Sequence, residues 1–293
     1  MISIIASDMD GTLLNDHMEI TPKTVAAIKK AQEAGIEFMV ATGRGLTEAQ
    51  PIVKNAGLDK MAYITLNGAQ VYDVNGKLVV SEPLANPIVT ELIKKLRAQK
   101  FYFELVTNQG IFSESKVRRI QHVADLLVNL NPDTTYKIAV ALAAARLEIM
   151  NINYVDNYDQ ILNDDNFQIM KILVFSETGP DVFNDFKTAY QNSQEIVITS
   201  SSPNNIEINS IRAQKGLALV DYAKQKGVPA DQLMAVGDNL NDESMIKAAG
   251  VGVAMGNALP AIKDLATFTT ATNLNDGVGQ AIEWALGQQK SQH

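Results

Sequence analysis

The sequence predicts an α/β protein in which a core organised around a parallel sheet is interrupted by a smaller α+β domain. Three observations carry this reading. Through residue 82, short apolar runs alternate with helical segments and end in polar or glycine-containing turns, the pattern of strands buried between crossover helices. The same rhythm resumes from residue 211. Between them, residues 83–210 mix helical and strand-like stretches without long runs of the parallel type. The expected organisation is a core of 1–82 and 211–293 around an inserted domain of 83–210.

Element by element, Ile2–Ser7 is an apolar strand that ends at Asp8. Thr21-Pro22 marks a helix start, with Thr as N-cap and Pro at the first helical position; Val25, Ile28 and Ala31 form its stripe and Gly35 ends it. Ile36–Ala41 is a strand, followed by the turn Thr42-Gly43-Arg44-Gly45 and a helix. Ala62–Leu66 is a third strand, and Val71–Asp73 and Leu78–Ser81 flank Val74-Asn75-Gly76-Lys77 as a hairpin. In the insertion, helices are expected at 86–99, 113–128 and 179–192, and strands at 101–106, 169–175, 195–200 and 206–209. Beyond it, Gly216–Lys226 reads as a helix, Leu233–Val236 as a strand and Asp238–Ala249 as an amphipathic helix. Val251–Ala254 is a strand, Pro260–Ala266 a helix, Phe268–Thr270 a short strand and Gln288–His293 a frayed tail.

Composition narrows the function. The chain has no cysteine, which excludes thiol catalysis, zinc–thiolate sites and disulfides and is compatible with the cytoplasm, the expected location. No apolar stretch is long enough to span a bilayer. A formal net charge of −8 speaks against nucleic-acid binding, and the cluster Lys116, Arg118, Arg119 reads as a solvated helix face. An acidic protein binds an anionic substrate only where lysine, arginine, backbone amides or a metal reverse the local field.

Four motifs supply such a place. Asp8-Met9-Asp10-Gly11-Thr12 follows the first strand, and in open α/β sheets ligands bind beyond the carboxyl ends of strands. Two carboxylates two residues apart in an extended segment face one side, and their repulsion is relieved by a hard, oxygen-liganded dication such as Mg²⁺. A surface turn is the competing reading. Gly237-Asp238-Asn239-Leu240-Asn241-Asp242 also follows a strand. Asp238 and Asp242, four apart at a helix start, are expected on one face, as metal ligands or, taken alone, as capping acids. Thr42 and Gly43 offer a hydroxyl and a glycine-opened amide to a phosphoryl oxygen. Lys215 heads a helix, where a cation is unfavourable, which points to a fixed anion beside it or to a plain surface lysine. By contrast, Gly250–Gly256 lacks the G-x-G-x-x-G spacing of a dinucleotide fingerprint.

In this order around an insertion, the four motifs resemble the haloacid dehalogenase (HAD) superfamily, and within it the Cof-type phosphatases with an inserted type IIB cap. The likeness spans essentially the whole chain and extends to Ile64-Thr65-Leu66-Asn67-Gly68-Ala69, Gly252–Ala258 and Asn275-Asp276-Gly277-Val278. It implies a Rossmann-like core and a Mg²⁺-dependent phosphatase. Asp8 is then the nucleophile that forms an aspartyl-phosphate, and Asp10 the general acid and base. Asp8, Asp238 and the Asp10 carbonyl would hold the metal, with Asp242 completing or buttressing the shell. Thr42, Gly43 and Lys215 would hold the phosphoryl group, with Asn241 nearby. The cap would select a small phosphorylated metabolite, a sugar phosphate foremost. One departure is Arg212-Ala213-Gln214, where such proteins carry a Gly-Val-Ser-like approach to the lysine. Arg212 as a charge near the cleft and Glu207 as a cap residue facing it are each weighed against ordinary surface positions. A phosphomutase and a non-catalytic phosphometabolite-binding protein are the alternative functions, and the intact catalytic positions speak against the second.

Overall fold

A computed structural model describes residues 1–131, 133–149, 152–176, 178–200 and 204–290. The chain forms two compact units, Met1–Glu82 joined by the stretch from Arg212 onward, and Pro83–Ile211. Ile211 donates its N–H to Glu195, inside the inserted unit, so the return crossing falls one residue later than residue 210.

Strands β1 (Ile4–Asp8), β2 (Glu37–Ala41), β3 (Ala62–Thr65), β4 (Gln70–Tyr72) and β5 (Leu78–Ser81), with helices α1 (Pro22–Glu33) and α2 (Leu46–Asn55), precede the insertion. The insertion holds β6 (Tyr102–Thr107), β7 (Gly110–Ser113), β8 (Ile152–Tyr154), β9 (Ile169–Phe175), β10 (Ile196–Thr199) and β11 (Asn205–Ser210). Its helices are α3 (Asn86–Ala98), α4 (Lys116–Leu130), α5 (Tyr136–Ile149), α6 (Asp159–Leu162) and α7 (Asn184–Tyr190). Strands β12 (Leu233–Gly237), β13 (Val251–Ala254) and β14 (Phe268–Thr269) follow, with α8 (Lys215–Gln225), α9 (Glu243–Ala248), α10 (Pro260–Leu265) and α11 (Gly277–Lys290).

The core sheet runs β14-β13-β12-β1-β2-β3-β4-β5, parallel from β14 to β3 and antiparallel through the hairpin β4–β5. Strand β1 is central: Ile4–Asp8 pairs with Glu37–Ala41 on one side, and Ile4–Ser7 with Leu233–Val236 on the other. The wholly buried runs Ile4–Ala6, Phe38–Ala41 and Leu233–Val236 pack with Ala27, Ile28 and Ala31 of α1 and Leu219, Tyr222 and Ala223 of α8. Because successive strands are added first on one side of β1 and later on the other, a crevice opens beyond its carboxyl end. Thr21 caps α1 by accepting the Thr24 N–H, with Pro22 next in the helix.

Two core expectations change. The stretch from Asp238 is not one helix: Leu240–Asp242 makes a single 3₁₀ turn and α9 begins at Glu243. The Asp242 carboxylate accepts the N–H groups of Asp238 and Asn239, competing with helical pairing, so the chain there folds back as a loop. At the C-terminus α11 continues through Lys290, past the expected start of a frayed tail, and residues 291–293 lie outside the described residues.

The inserted sheet runs β10-β11-β9-β6-β7-β8, antiparallel except for β7–β8. On one face, Phe103, Leu105, Ile172, Val174, Ile206 and Ile208 pack with Ile88, Leu92 and Leu96 of α3 and with Phe183 and Phe186. The alternating positions Glu104, Lys171 and Glu207 turn to the other face. There Glu207, one of whose readings was a solvent-exposed strand residue, is 4% exposed and pairs with Lys171 at 3.1 Å. Arg119 is buried rather than solvated, 3.4 Å from Glu104 and over the Phe175 ring, because α4 lies against this polar face. His122 sits beside the same ring, its imidazole pushed down to about 4 by burial and by the Arg119 charge. Strand β7 takes residue 113, the first of the stretch expected to be helical, and β8, α5 and α6 form where the sequence pattern predicts no element. Among the described residues no helix is long and apolar enough to cross a membrane.

Gly68 ties this frame to the residues that follow the insertion. Its φ is +106°, and a Cβ there would lie 2.5 Å from the backbone carbon and oxygen of Gln214, next to Lys215. Gly68→Ala is expected to destabilise the protein by about 2–4 kcal/mol, read from urea unfolding. An unchanged midpoint would show that this close approach is not required.

Candidate active site

Beyond β1 the chain turns tightly through Met9–Leu13, with Gly11 at φ +79°. A Cβ on Gly11 would lie 2.8 Å from Asp238 Oδ2, so the turn needs glycine to come this close. Thr12 Oγ1 donates to Asp238 Oδ1 at 2.6 Å, and Asn257 Nδ2 donates to the Gly11 carbonyl at 2.7 Å. The loops after β1, β12 and β13 are thereby stitched together.

At the centre, Lys215 at the head of α8 is completely buried and donates to Asp8 Oδ1 and to Asp242 Oδ1, both at 2.6 Å. Its awkward place at a helix start is offset by these two carboxylates. Burial opposes the ammonium charge, but Asp242 and Asp8 outweigh it and push the lysine pKa up. Burial, with the charge of Asp242, raises the Asp8 carboxyl well above the usual carboxylate range, and Lys215 offsets only part of that. Asp238 is raised by burial too, against the hydrogen bond from Thr12. Gly237 makes room for Asp242, since a Cβ on it would lie 2.5 Å from the Asp242 Cβ.

Asp8, Asp238 and Asp242 offer carboxylate oxygens that all lie within 4.8 Å of one another. Three carboxylates face one ammonium, an excess of negative charge that an oxygen-liganded dication fits. Asp238 and Asp242 do not meet on a helix face, as their spacing suggests, but through the folded-back loop. Both Asp242 oxygens are already hydrogen-bonded, one by Lys215 and the other by two backbone amides.

The remaining expected residues form a second group. Asp8 lies opposite Ala41 in the β1–β2 register, one residue before Thr42. Thr42 is buried; its Oγ1 accepts the Arg44 N–H at 3.1 Å and its carbonyl accepts the Asn67 N–H at 3.0 Å. Asn241 Nδ2 donates to Asn67 Oδ1 at 3.3 Å, and a Cβ on Gly43 would lie 3.0 Å from that same oxygen. Asn67, at φ +59°, therefore links Thr42, Gly43 and Asn241, and is a site residue beyond those expected from the sequence. Its signal was Asn-Gly at a strand end, since Asn tolerates a left-handed backbone.

Asp10 is exposed, and both its oxygens are held by Arg44. Arg212 pairs with Asp221 at 2.8 Å and lies 3.6 Å from Glu82, so core carboxylates engage its charge. Thr12, Asn257 and Arg44 complete the contacts that motif reading left out. All three lie within segments singled out in the sequence, but their partners are 226, 246 and 34 residues away, respectively, and no local pattern pairs them.

The sequence signature of the haloacid dehalogenase-like hydrolases matches residues 5–282. Phosphatase YwpJ of Bacillus subtilis is 32% identical over 287 residues, covering 97% of this chain and 100% of YwpJ. The 5-amino-6-(5-phospho-D-ribitylamino)uracil phosphatase YcsE of the same organism is 31% identical, covering 97% and 96%. The solved structure of a haloacid dehalogenase-like hydrolase from B. subtilis superposes with a TM-score of 0.83 at 31% identity, over 96% of this chain and 99% of that one.

Removing the central cation tests the electrostatics directly. Lys215→Met leaves Asp8 and Asp242 buried without it and is expected to destabilise the fold by about 3–5 kcal/mol in urea titrations with EDTA present. A loss below about 1 kcal/mol would mean that the carboxylates do not depend on Lys215.

Proposed function

The chain belongs to the haloacid dehalogenase-like hydrolases, and on that premise we propose that it is a Mg²⁺-dependent phosphatase that hydrolyses a small phosphorylated metabolite through an aspartyl-phosphate on Asp8. The observation that carries this reading is the Asp8 carboxylate at the end of the central strand, gripped through one oxygen by a buried lysine. That grip holds one oxygen in place and works against the burial that raises the carboxyl, while the other oxygen serves as nucleophile.

Asp8 attacks phosphorus, and the bond to the ester oxygen breaks as Asp10 gives that oxygen a proton. Asp10 then takes a proton from a water that attacks the phosphoenzyme; the Asp8–phosphorus bond breaks and inorganic phosphate leaves. The Thr42 hydroxyl, the Gly43 N–H and the Lys215 ammonium hold the phosphoryl oxygens, with Asn241 beside them, so charge on those oxygens meets a pre-arranged positive field. Asp8, Asp238 and the Asp10 carbonyl would hold Mg²⁺, with Asp242 buttressing them, and the bound ion supplies further neutralisation of phosphoryl charge.

Substrate choice is assigned to the inserted unit, because the core motifs are taken up with the phosphoryl group. A sugar phosphate or sugar-alcohol phosphate is the favoured class; the relative YcsE is named for a substrate with a phosphorylated ribityl chain. A metabolite of this kind and a chain without cysteine suit a cytoplasmic enzyme.

The deciding assay is phosphate release from p-nitrophenyl phosphate and a panel of sugar phosphates, with wild type and Asp8→Asn side by side. Wild type is expected to release phosphate and the variant none; full turnover by Asp8→Asn would sink the covalent route. EDTA is expected to stop the reaction and Mg²⁺ to restore it, and metal-independent turnover would remove the ion from the mechanism. Retained phosphate with activation by a bisphosphate would identify a mutase instead.

A further inference from the structure

The carboxylate proposed to move the proton has one partner. Arg44 Nε donates to Asp10 Oδ2 at 2.8 Å and Arg44 Nη2 to Asp10 Oδ1 at 2.6 Å. Among the described residues no other group hydrogen-bonds this carboxylate. A two-pronged guanidinium–carboxylate pair fixes the plane of both groups as well as their separation.

The two side chains of the pair are not equally covered, Arg44 being 28% exposed and Asp10 47%. Arg44 rises from a turn held by its own N–H to Thr42 Oγ1 and by the Leu66 N–H to its carbonyl, just before Gly45 opens α2. Asp10 stands on the tight turn after β1, its side chain 47% exposed. The less exposed side chain, Arg44, is the one that can set the direction of the more exposed carboxylate. Stability does not explain the arrangement, since ion pairs this accessible contribute about 0–1 kcal/mol.

We propose that Arg44 is the positioning residue of Asp10, aiming the carboxylate that exchanges protons with the leaving group and the attacking water. This rests on the phosphatase reading above. Each Asp10 oxygen gives one lone pair to the guanidinium and keeps another, where the proton is carried. Lysine, a point charge without a planar fork, does not reproduce that aim.

The test compares kcat/KM for p-nitrophenyl phosphate with that for the sugar phosphate that wild type hydrolyses fastest. Because kcat/KM reports the steps through transfer to Asp8, it isolates the step in which the leaving group is protonated. Arg44→Ala is expected to lose about 10²-fold on the sugar phosphate. The loss on the aryl ester is expected to be far smaller, because nitrophenolate departs without a proton. In an Asp10→Asn background Arg44→Ala adds no further loss, and Arg44→Lys does not restore the sugar-phosphate rate. Equal losses on both esters, multiplying with the loss in Asp10→Asn, would overturn the proposal and make Arg44 a phosphoryl-binding group. Failure of that reading shows elsewhere, as wild type that releases no phosphate or as turnover that survives Asp8→Asn. Thermal unfolding of Arg44→Ala close to wild type separates lost aim from lost fold.

Discussion

A lysine ammonium with no exposed surface, shared between Asp8 and Asp242, is the interaction around which the core is arranged. A buried charge is tolerated only when paired and hydrogen-bonded, so the elements that bear these three residues must meet closely. Gly216 lets α8 approach α9, since a Cβ on it would lie 2.2 Å from the Ser244 carbonyl oxygen. Gly237 makes the same allowance for Asp242, and the backbone amides of Asp238 and Asn239 hold the other oxygen of that carboxylate. The buried charges and the core packing are thus one structure.

Much of the core was legible because strands buried on both faces leave unbroken apolar runs, and the polar residues that end them stand out. Asp8, Lys215 and Asp238 announce themselves in that way: two as acids at strand ends, one as a cation where a helix disfavours it. What failed depended on partners distant in sequence or on missing periodicity. Helix α5 is apolar almost all round and shows no stripe; it buries Ala139 and Ala143 against Val123 and Ala124 of α4. The helix reading from Asp238 missed the Asp242 carboxylate as a rival for backbone amides. The Arg44–Asp10 pair spans 34 residues and leaves no local trace.

The inserted unit uses charge differently. Glu104 and Glu207 are buried on its polar sheet face, near Arg119 and bonded to Lys171 respectively, and Tyr102 adds a hydrogen bond to Glu104. Burial raises the Glu104 carboxyl despite these partners. Buried pairs are weak net stabilisers, so the hold on α4 comes from several directional contacts, including His122 and Arg119 against Phe175.

The topology also sets an order of events during synthesis. Ser3, beside β1, hydrogen-bonds Gln232 across 229 residues of sequence, so the central strand waits for a neighbour made late. Closing so long a loop is slow. Glu82 and Arg212, which flank the insertion, lie 3.6 Å apart, so the chain leaves and re-enters the core at nearly one point. Until β12 emerges, one edge of β1 stays unpaired, a hazard for a nascent chain. Since Lys215, Asp238 and Asp242 all arrive after the insertion, a chain released before them would carry Asp8 without any of the three side chains that surround it.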